Sequence, residues 1–83
     1  SILDLDAEVI GINVSKDIDI LNKPLISIKL PQQVIIGVII RNNEVIIPTG
    51  SNVIKKVDKL IVFVKQSDIS KVEKIFSTDI RRL

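Results

Sequence analysis

The sequence predicts a small α+β domain, with two short helices on an antiparallel or mixed sheet in the order β-α-β-β-β-α. Ile and Val account for a third of the chain, 18 and 10 of its 83 residues, and β-branched residues favour strands. They gather in four short runs, and a later segment has the spacing of an amphipathic helix. We expect residues 1–83 to form one domain of a longer chain, because the sequence lacks an initial Met.

The first strand is predicted over residues 8–15, where Ile10, Ile12 and Val14 alternate with small or polar residues. Such alternation indicates a strand with one buried face and one exposed face. Gly11 lies on the second face, and it indicates either a bulge or a place where another backbone approaches closely.

A short helix is predicted next, over about 23–29. Asn22 is a good capping residue, and Pro24 suits a first helical turn. Pro31 ends the helix, because a proline pushes the residue before it out of the α region. We expect Leu25 to face inward from this helix.

A hairpin follows, with strands over 33–41 and 44–48. The Asn-Asn pair at 42–43 predicts a two-residue turn, because Asn tolerates positive φ. Pro48 ends the pairing, since proline has no N–H to donate. The first hairpin strand is apolar on both faces. One face is predicted to hold Val34, Ile36, Val38 and Ile40, and the other Ile35 and Ile39.

The last strand and the second helix are predicted at 59–65 and from 67 to 76. The strand is again apolar on both faces. The helix is capped by Ser67-Asp68, and its apolar stripe is predicted to pack on the sheet. We expect residues 78–83 to be a frayed end. The helical stripe consists of Ile69, Val72, Ile75 and Phe76.

Two strands with two apolar faces each are difficult to cover within a chain this short, which buries only about 60–65% of its unfolded surface. Part of the cover is therefore expected to come from a second copy of the chain. We place the expected contact on the faces of 8–15 and 33–41.

The missing residue types argue against catalysis. The chain has no His and no Cys, which removes the usual general base and the thiolate ligands. We expect no enzyme and no metal site. A catalytic site would have to use Asp58 with Lys59 or Asp68. The spacing of these residues does not favour catalysis over a role as surface charges. The acidic run at 4–8 either gathers a hard cation such as Ca²⁺ or forms a charged fringe where the chain enters the domain.

The charge pattern gives little support to a nucleic-acid partner. The net charge is +2, and basic residues gather in residues 55–83. No aromatic residue is interleaved there for base stacking, because Phe63 and Phe76 fall within apolar patterns. We therefore expect no nucleic-acid partner. The longest apolar run, 34–40, is too short for a membrane helix, which needs about 20 residues.

Three segments, taken in order, resemble the TrkA C-terminal domain family, also called the RCK (regulator of potassium conductance) C-terminal domain. The first segment contains VIGINV, LNK and IKLP, the second is VIIGVIIRNNEVIIPTGS and the third is VDKLIVFV. Three turn positions depart from the family pattern. Asn22 and Val57 stand where the family has Gly, and Ser51 stands where Asp is common.

The resemblance implies a cytoplasmic homodimer that lies against the inner face of the membrane. It implies an upstream Rossmann-like domain that binds NAD or ATP, and a membrane-embedded transporter subunit as partner. The function implied is regulation of potassium or other ion transport. The alternative is a free-standing sensor of a cyclic dinucleotide or a divalent cation.

The resemblance also implies candidate ligand-binding residues, since some branches of the family bind cyclic di-AMP in the cleft between protomers. The apolar pocket positions correspond to Leu25 and Ile26, the polar turn position to Asn42, and the proline to Pro48. The basic residue that often precedes the apolar strand is missing. Arg41 could serve the phosphates as a bidentate donor, or it could simply end its strand in solvent.

Overall fold

The computed structural model describes residues 5–78 and 80–83. This part of the chain forms five strands, two 3₁₀ turns and one α-helix. The strands are β1 (Ala7–Asn13), β2 (Val34–Arg41), β3 (Glu44–Ile46), β4 (Lys59–Lys65) and β5 (Arg81–Arg82). The helix α1 is Ile69–Phe76, and the 3₁₀ turns are Leu25–Ser27 and Gln66–Asp68.

All five strands join one antiparallel sheet in the order β3-β2-β4-β1-β5. The central strand, β4, pairs with β1 on one side and with β2 on the other. Asn42 and Asn43 form the tight turn between β2 and β3, with φ of 51° and 62°. The predicted α+β class, the antiparallel sheet and the Asn-Asn hairpin are thus confirmed.

The core lies on one face of the sheet, under α1. The helix occupies the predicted position and turns its apolar stripe to the sheet, although Asp68 makes no capping hydrogen bond with its side chain. The other face, which we call the outer face, carries no helix in the described residues. The buried core consists of Ile10, Ile12, Val14, Val34, Ile39, Ile54, Leu60, Val62, Val64, Ile69, Val72 and Phe76.

A β-bulge at Gly37 interrupts the alternation of β2. Ile36 pairs with Val62, but Val38 pairs with Ile61, so one extra residue stands on the β2 side. The side chains after the bulge change faces. Ile39 consequently joins the core, and the prediction from strict alternation that placed it opposite Val34 and Ile36 was wrong beyond residue 36.

The predicted helix over 23–29 is only a 3₁₀ turn, so the β-α-β-β-β-α order was wrong at this element. Ile28 is already extended, with ψ of 136°, and Asn22 lies before the turn at φ 62° without capping it. The physical reason is length. Pro24 and Pro31 leave too few residues between them to offset the cost of nucleating a helix.

The C-terminal residues form a strand rather than a frayed end. Arg81 pairs with Gly11 and Arg82 with Ile10, and the Leu83 amide donates to the Val9 carbonyl at 2.9 Å. The edge of β1 offers backbone groups that this short segment satisfies. Neither α1 nor the 3₁₀ turns within 5–78 and 80–83 has the length and apolar character of a membrane-spanning helix.

The bulge generates a stability prediction. A Cβ added at Gly37 would lie 2.5 Å from Cε2 of Phe63, so Gly37→Ala should displace the ring or the bulge. We expect a loss of about 1–3 kcal/mol in the free energy of unfolding, measured by urea denaturation. Gly11→Ala is the matched control, because its Cβ would meet Leu83 at an ordinary 3.5 Å. Equal stability of the two variants would contradict the packing described here.

Candidate functional site

The 3₁₀ turn is attached to the loop that follows the hairpin. The Leu25 amide donates to the Asn52 carbonyl at 2.8 Å, and the Ile26 amide donates to the Gly50 carbonyl at 2.9 Å. Three residues before Leu25, the Asn22 amide donates to the Ile54 carbonyl of the same loop at 2.9 Å. We call residues 25–26 and 47–50 the turn–loop surface. It presents an almost fully exposed Ile26, at 84% of its maximal area.

The turn and the loop approach each other closely at Gly50. A Cβ at Gly50 would lie 3.1 Å from the Cβ of Ile26, so a larger residue would require a shift of a few tenths of an ångström. The loop is closed locally by Asn52, whose side-chain oxygen accepts the Thr49 amide at 2.7 Å. The apolar side chain of Ile26 is therefore held on a short, well-bonded loop.

A buried ion pair lies beside this loop. Arg41 donates to both carboxylate oxygens of Asp58, from Nε at 2.9 Å and from Nη2 at 2.7 Å. The Lys55 amide donates to Asp58 Oδ2 at 2.8 Å, and Arg41 Nη2 also donates to the Val53 carbonyl at 3.0 Å. We call this arrangement the Arg41–Asp58 clamp. The Asp58 side chain is 1% exposed and that of Arg41 is 26% exposed.

The bulge in β2 explains why an arginine at the end of an apolar strand points inward. Residues 39 and 41 share one face of the strand, and the extra residue at Gly37 brings that face to the core side. Arg41 then meets Asp58, which directly precedes β4. A bidentate guanidinium–carboxylate pair is the geometry that best compensates the desolvation of both charges.

The clamp keeps Asp58 ionised. Burial acts to raise the pKa of Asp58, but the hydrogen bonds from Arg41 and from the Lys55 amide, together with the charge of Arg41, outweigh it. The net pKa of Asp58 lies below its ordinary value. The hydrogen bond to Asp58 in turn raises the pKa of Arg41 against the opposing effect of desolvation.

Val57 takes a backbone conformation that disfavours its side chain. Its φ is 68°, in the left-handed region that β-branched residues rarely adopt. The neighbouring backbone holds it there. The Val57 amide donates to the Val14 carbonyl at 2.7 Å, and the Val14 amide donates to the Asp58 carbonyl at 2.9 Å. Asn22 also has a positive φ, 62°, but Asn tolerates it.

The five predicted ligand residues occupy different parts of this region. Leu25 and Ile26 both donate to the loop that contains Pro48, but only Ile26 is exposed; Leu25 is half-buried and packs against the core, as predicted. Arg41 is directed to Asp58 and Val53, and Asn42 is exposed at the hairpin turn. Their role as ligand contacts stays a prediction. Asp58 was missed as the partner of Arg41, although an acidic residue directly before an apolar strand could have suggested it.

The described residues include no group of three or more acidic side chains that could hold a metal ion. In the acidic run at 4–8, Asp4 lies outside the described residues. Asp6 is exposed at the start of β1, whereas Glu8 is buried on its core face.

The outer face of the sheet is apolar and accessible. Ile35 on β2, Phe63 on β4 and Val45 on β3 are 65%, 46% and 66% exposed. Ile35 pairs with Phe63 across the strands, and the Phe63 ring lies over Gly37. A shallow groove of about 420 Å³ runs along the end of this face, lined by Asp6, Ala7, Gln32, Gln33, Ile35, Phe63, Val64 and Lys65.

Comparison with known proteins gives a consistent result. The model of the TrkA-C domain family matches residues 9–77. A Trk system potassium uptake protein TrkA homolog of Archaeoglobus fulgidus is 41% identical over 63 residues, 76% of this chain and 14% of that protein. TrkA homolog 2 of Methanosarcina mazei is 37% identical over 70 residues, 84% of this chain and 16% of that protein.

A solved structure shares the fold. It is described as "Structure of RCK domain with cda", and it superimposes with a TM-score of 0.71 at 25% sequence identity. The match covers 81% of this chain and 94% of that chain. The chain therefore spans nearly all of this domain, but less than a fifth of the length of the two TrkA homologs.

The backbone strain at Val57 predicts a stabilising substitution. A left-handed residue with a Cβ costs about 1–2 kcal/mol, and glycine removes this cost at an entropic penalty of about 0.5–1 kcal/mol. Val57→Gly should therefore raise the free energy of unfolding by up to about 1 kcal/mol in urea denaturation. Asn22→Gly, at a similar φ, should change it by less. A Val57→Gly variant less stable than Asn22→Gly would contradict the strain.

The clamp predicts a pH dependence. Because the pKa of Asp58 is lowered by folding, its stabilising contribution is complete above the ordinary value of 3.8 and is lost as the pH falls through the folded pKa. Asp58→Asn should lower the free energy of unfolding at pH 7 by about 1.5–3 kcal/mol, the value of hydrogen bonds to a charged group, and should flatten its decline in acid. Urea denaturation from neutral to acid pH measures both effects.

The control for this prediction is Asp17→Asn, which removes the exposed ion pair with Lys56 at 3.6 Å. Its effect should stay below about 0.5 kcal/mol at neutral pH. If Asp58→Asn and Asp17→Asn had the same stability and the same acid profile, the clamp would not stabilise the fold as described.

Proposed function

Since the chain belongs to the TrkA-C domain family, we propose that it is a regulatory, dimerising domain of a potassium or other ion transport system. The family match over 9–77 carries this proposal. The curated relatives named above are potassium uptake proteins, and the chain corresponds to a small part of their length. The upstream Rossmann-like domain, which would bind NAD or ATP, the membrane-embedded transporter subunit and a cytoplasmic location at the inner membrane face belong to this proposal.

The chemistry of the outer face supports dimerisation through it. The helix α1 covers one side of the sheet, and the other side exposes large apolar residues on three adjacent strands. A stable interface buries roughly 800 Å² per partner, which is the scale of one face of a small sheet. A second copy offers the same apolar face by two-fold symmetry, and facing sheets pack about 10 Å apart. Phe63 is the natural anchor of such a contact because buried aromatic residues contribute most at interfaces.

The oligomeric state tests this part of the proposal. We expect the chain to be a dimer at micromolar concentration by light scattering after size exclusion, and Phe63→Lys to be a folded monomer. Val57→Lys is the matched control, because Val57 is 85% exposed but lies in a turn. It should remain a dimer. A monomeric wild-type chain, or a Phe63→Lys variant that remains dimeric, would contradict the proposed interface.

A small ligand is the second element of the proposal. We place it on the turn–loop surface in the cleft between protomers, with Leu25, Ile26 and Pro48 as apolar contacts and with Asn42 and Arg41 nearby. The exposed Ile26 and Ile47 of this surface support the proposal, because apolar side chains suit contact with a flat base. The related RCK domain was solved with cda. The alternative function, a free-standing sensor, would use the same surface for cyclic di-AMP or for a divalent cation.

Calorimetry distinguishes these ligands. Cyclic di-AMP should bind the wild-type chain, and Ile26→Ala should weaken the affinity by about tenfold or more, the loss of roughly one buried aliphatic side chain. Leu5→Ala is the control, since Leu5 is also exposed but lies before β1. Binding of Ca²⁺ alone would favour the cation alternative. If neither cyclic di-AMP nor Ca²⁺ gives a heat of binding, the ligand proposal is wrong and only the proposed role in dimerisation remains.

A further inference from the structure

The loop between the hairpin and β4 has little pairing of its own, yet it carries the turn–loop surface. Between Ile46 and Lys59 the described chain contains no strand. Three of its backbone carbonyls, those of Gly50, Asn52 and Ile54, accept amides from the segment that contains the 3₁₀ turn. The position of Ile26 is therefore set by the position of this loop rather than by a helix.

The clamp binds the loop inside the same stretch. Val53 lies between the two carbonyls that hold Asn22 and Leu25, and its own carbonyl accepts Arg41 Nη2 at 3.0 Å. Near the end of the loop, the Lys55 amide donates to Asp58 Oδ2 at 2.8 Å. One guanidinium thus connects the end of β2, the middle of the loop and the residue before β4.

We infer that Arg41 and Asp58 are positioning residues, which hold the loop so that the 3₁₀ turn presents Ile26 on the turn–loop surface. The consequence for binding rests on the function proposed above, whereas the effect on the loop does not. Arg41 Nε and Nη2 are already engaged by Asp58 and Val53, and Asp58 is buried. These contacts connect Arg41 to the loop, and the role inferred for it acts through the loop.

A competing anchor must be separated from the clamp. Ile54 is fully buried in the core and attaches the loop independently of Arg41. Loss of the clamp should consequently loosen residues 50–53 and the 3₁₀ turn without releasing the whole loop. Arg41→Lys is the informative variant, because it keeps the charge but cannot form the two-pronged contact with Asp58 while also reaching Val53.

Hydrogen exchange of the 83-residue chain tests the inference. We compare the exchange rates of the Leu25 and Ile26 amides with those of the Ile10 and Val62 amides in the sheet. The ratio of the two sets of rates should be about tenfold or more higher in Arg41→Lys than in the wild type. Those sheet amides report global opening, so a merely structural role would accelerate both sets equally. Lys56→Ala, which removes only an exposed ion pair, is the control and should leave the ratio unchanged. An unchanged ratio in Arg41→Lys would overturn the inference.

Calorimetry with cyclic di-AMP adds a second readout. If the ligand binds, Arg41→Lys should lose affinity together with the faster exchange at Leu25 and Ile26. Loss of affinity with unchanged exchange would show that Arg41 contacts the ligand and would overturn the inference. If exchange accelerates at these two amides but the wild-type chain binds no cyclic di-AMP, the positioning role stands and the proposed ligand is wrong.

Discussion

The single extra residue at Gly37 determines how β2 divides its side chains between the two faces of the sheet. Before the bulge, Val34 and Ile36 face the core; after it, Ile39 and Arg41 do so. Glycine is needed because the Phe63 ring occupies the space that a Cβ would take. Without the shift, Arg41 would end the strand on the outer face, and Asp58 would be buried without the guanidinium that compensates its charge. The clamp, and the part of the loop that it holds, depend on this local irregularity.

The same shift removes Arg41 from the outer face. Ile35, Val45 and Phe63 are exposed there, and Lys59 and Lys65 lie at the two ends of β4 on that face. A domain with one eight-residue helix can cover only one face. The two proposed roles use the outer face of the sheet and the turn–loop surface, whose residues 47–50 directly follow β3. The outer face is suited to a second copy of the chain, whereas the loop beside the clamp presents the residues proposed to contact a ligand.

The sequence was most informative where the structure follows from local chemistry. Asn42 and Asn43 predicted the hairpin turn because few other residues tolerate positive φ, and the stripe ending at Phe76 predicted α1. Strict alternation failed at the bulge, since Gly37 fits an uninterrupted strand as well as a bulged one. The prediction of a helix over 23–29 was wrong because the two prolines mark its ends but leave too few residues between them for a stable helix. Pairing of 81–82 with β1, and of Arg41 with Asp58, depends on residues distant in the chain, which periodicity cannot reveal. The resemblance supplied the family and the candidate residues, but not the direction in which Arg41 points.

The central claim is that the apolar outer face is covered by a second copy of the chain. Isotope-filtered NMR on a mixture of labelled and unlabelled chains tests it most directly, because only contacts between two copies give a signal. The account predicts intermolecular contacts from the Phe63 ring and the Ile35 methyl groups, and none from Ile54 or Val72 in the core. Intermolecular signals confined to other surfaces, or none at concentrations where the chain remains a monomer, would contradict it.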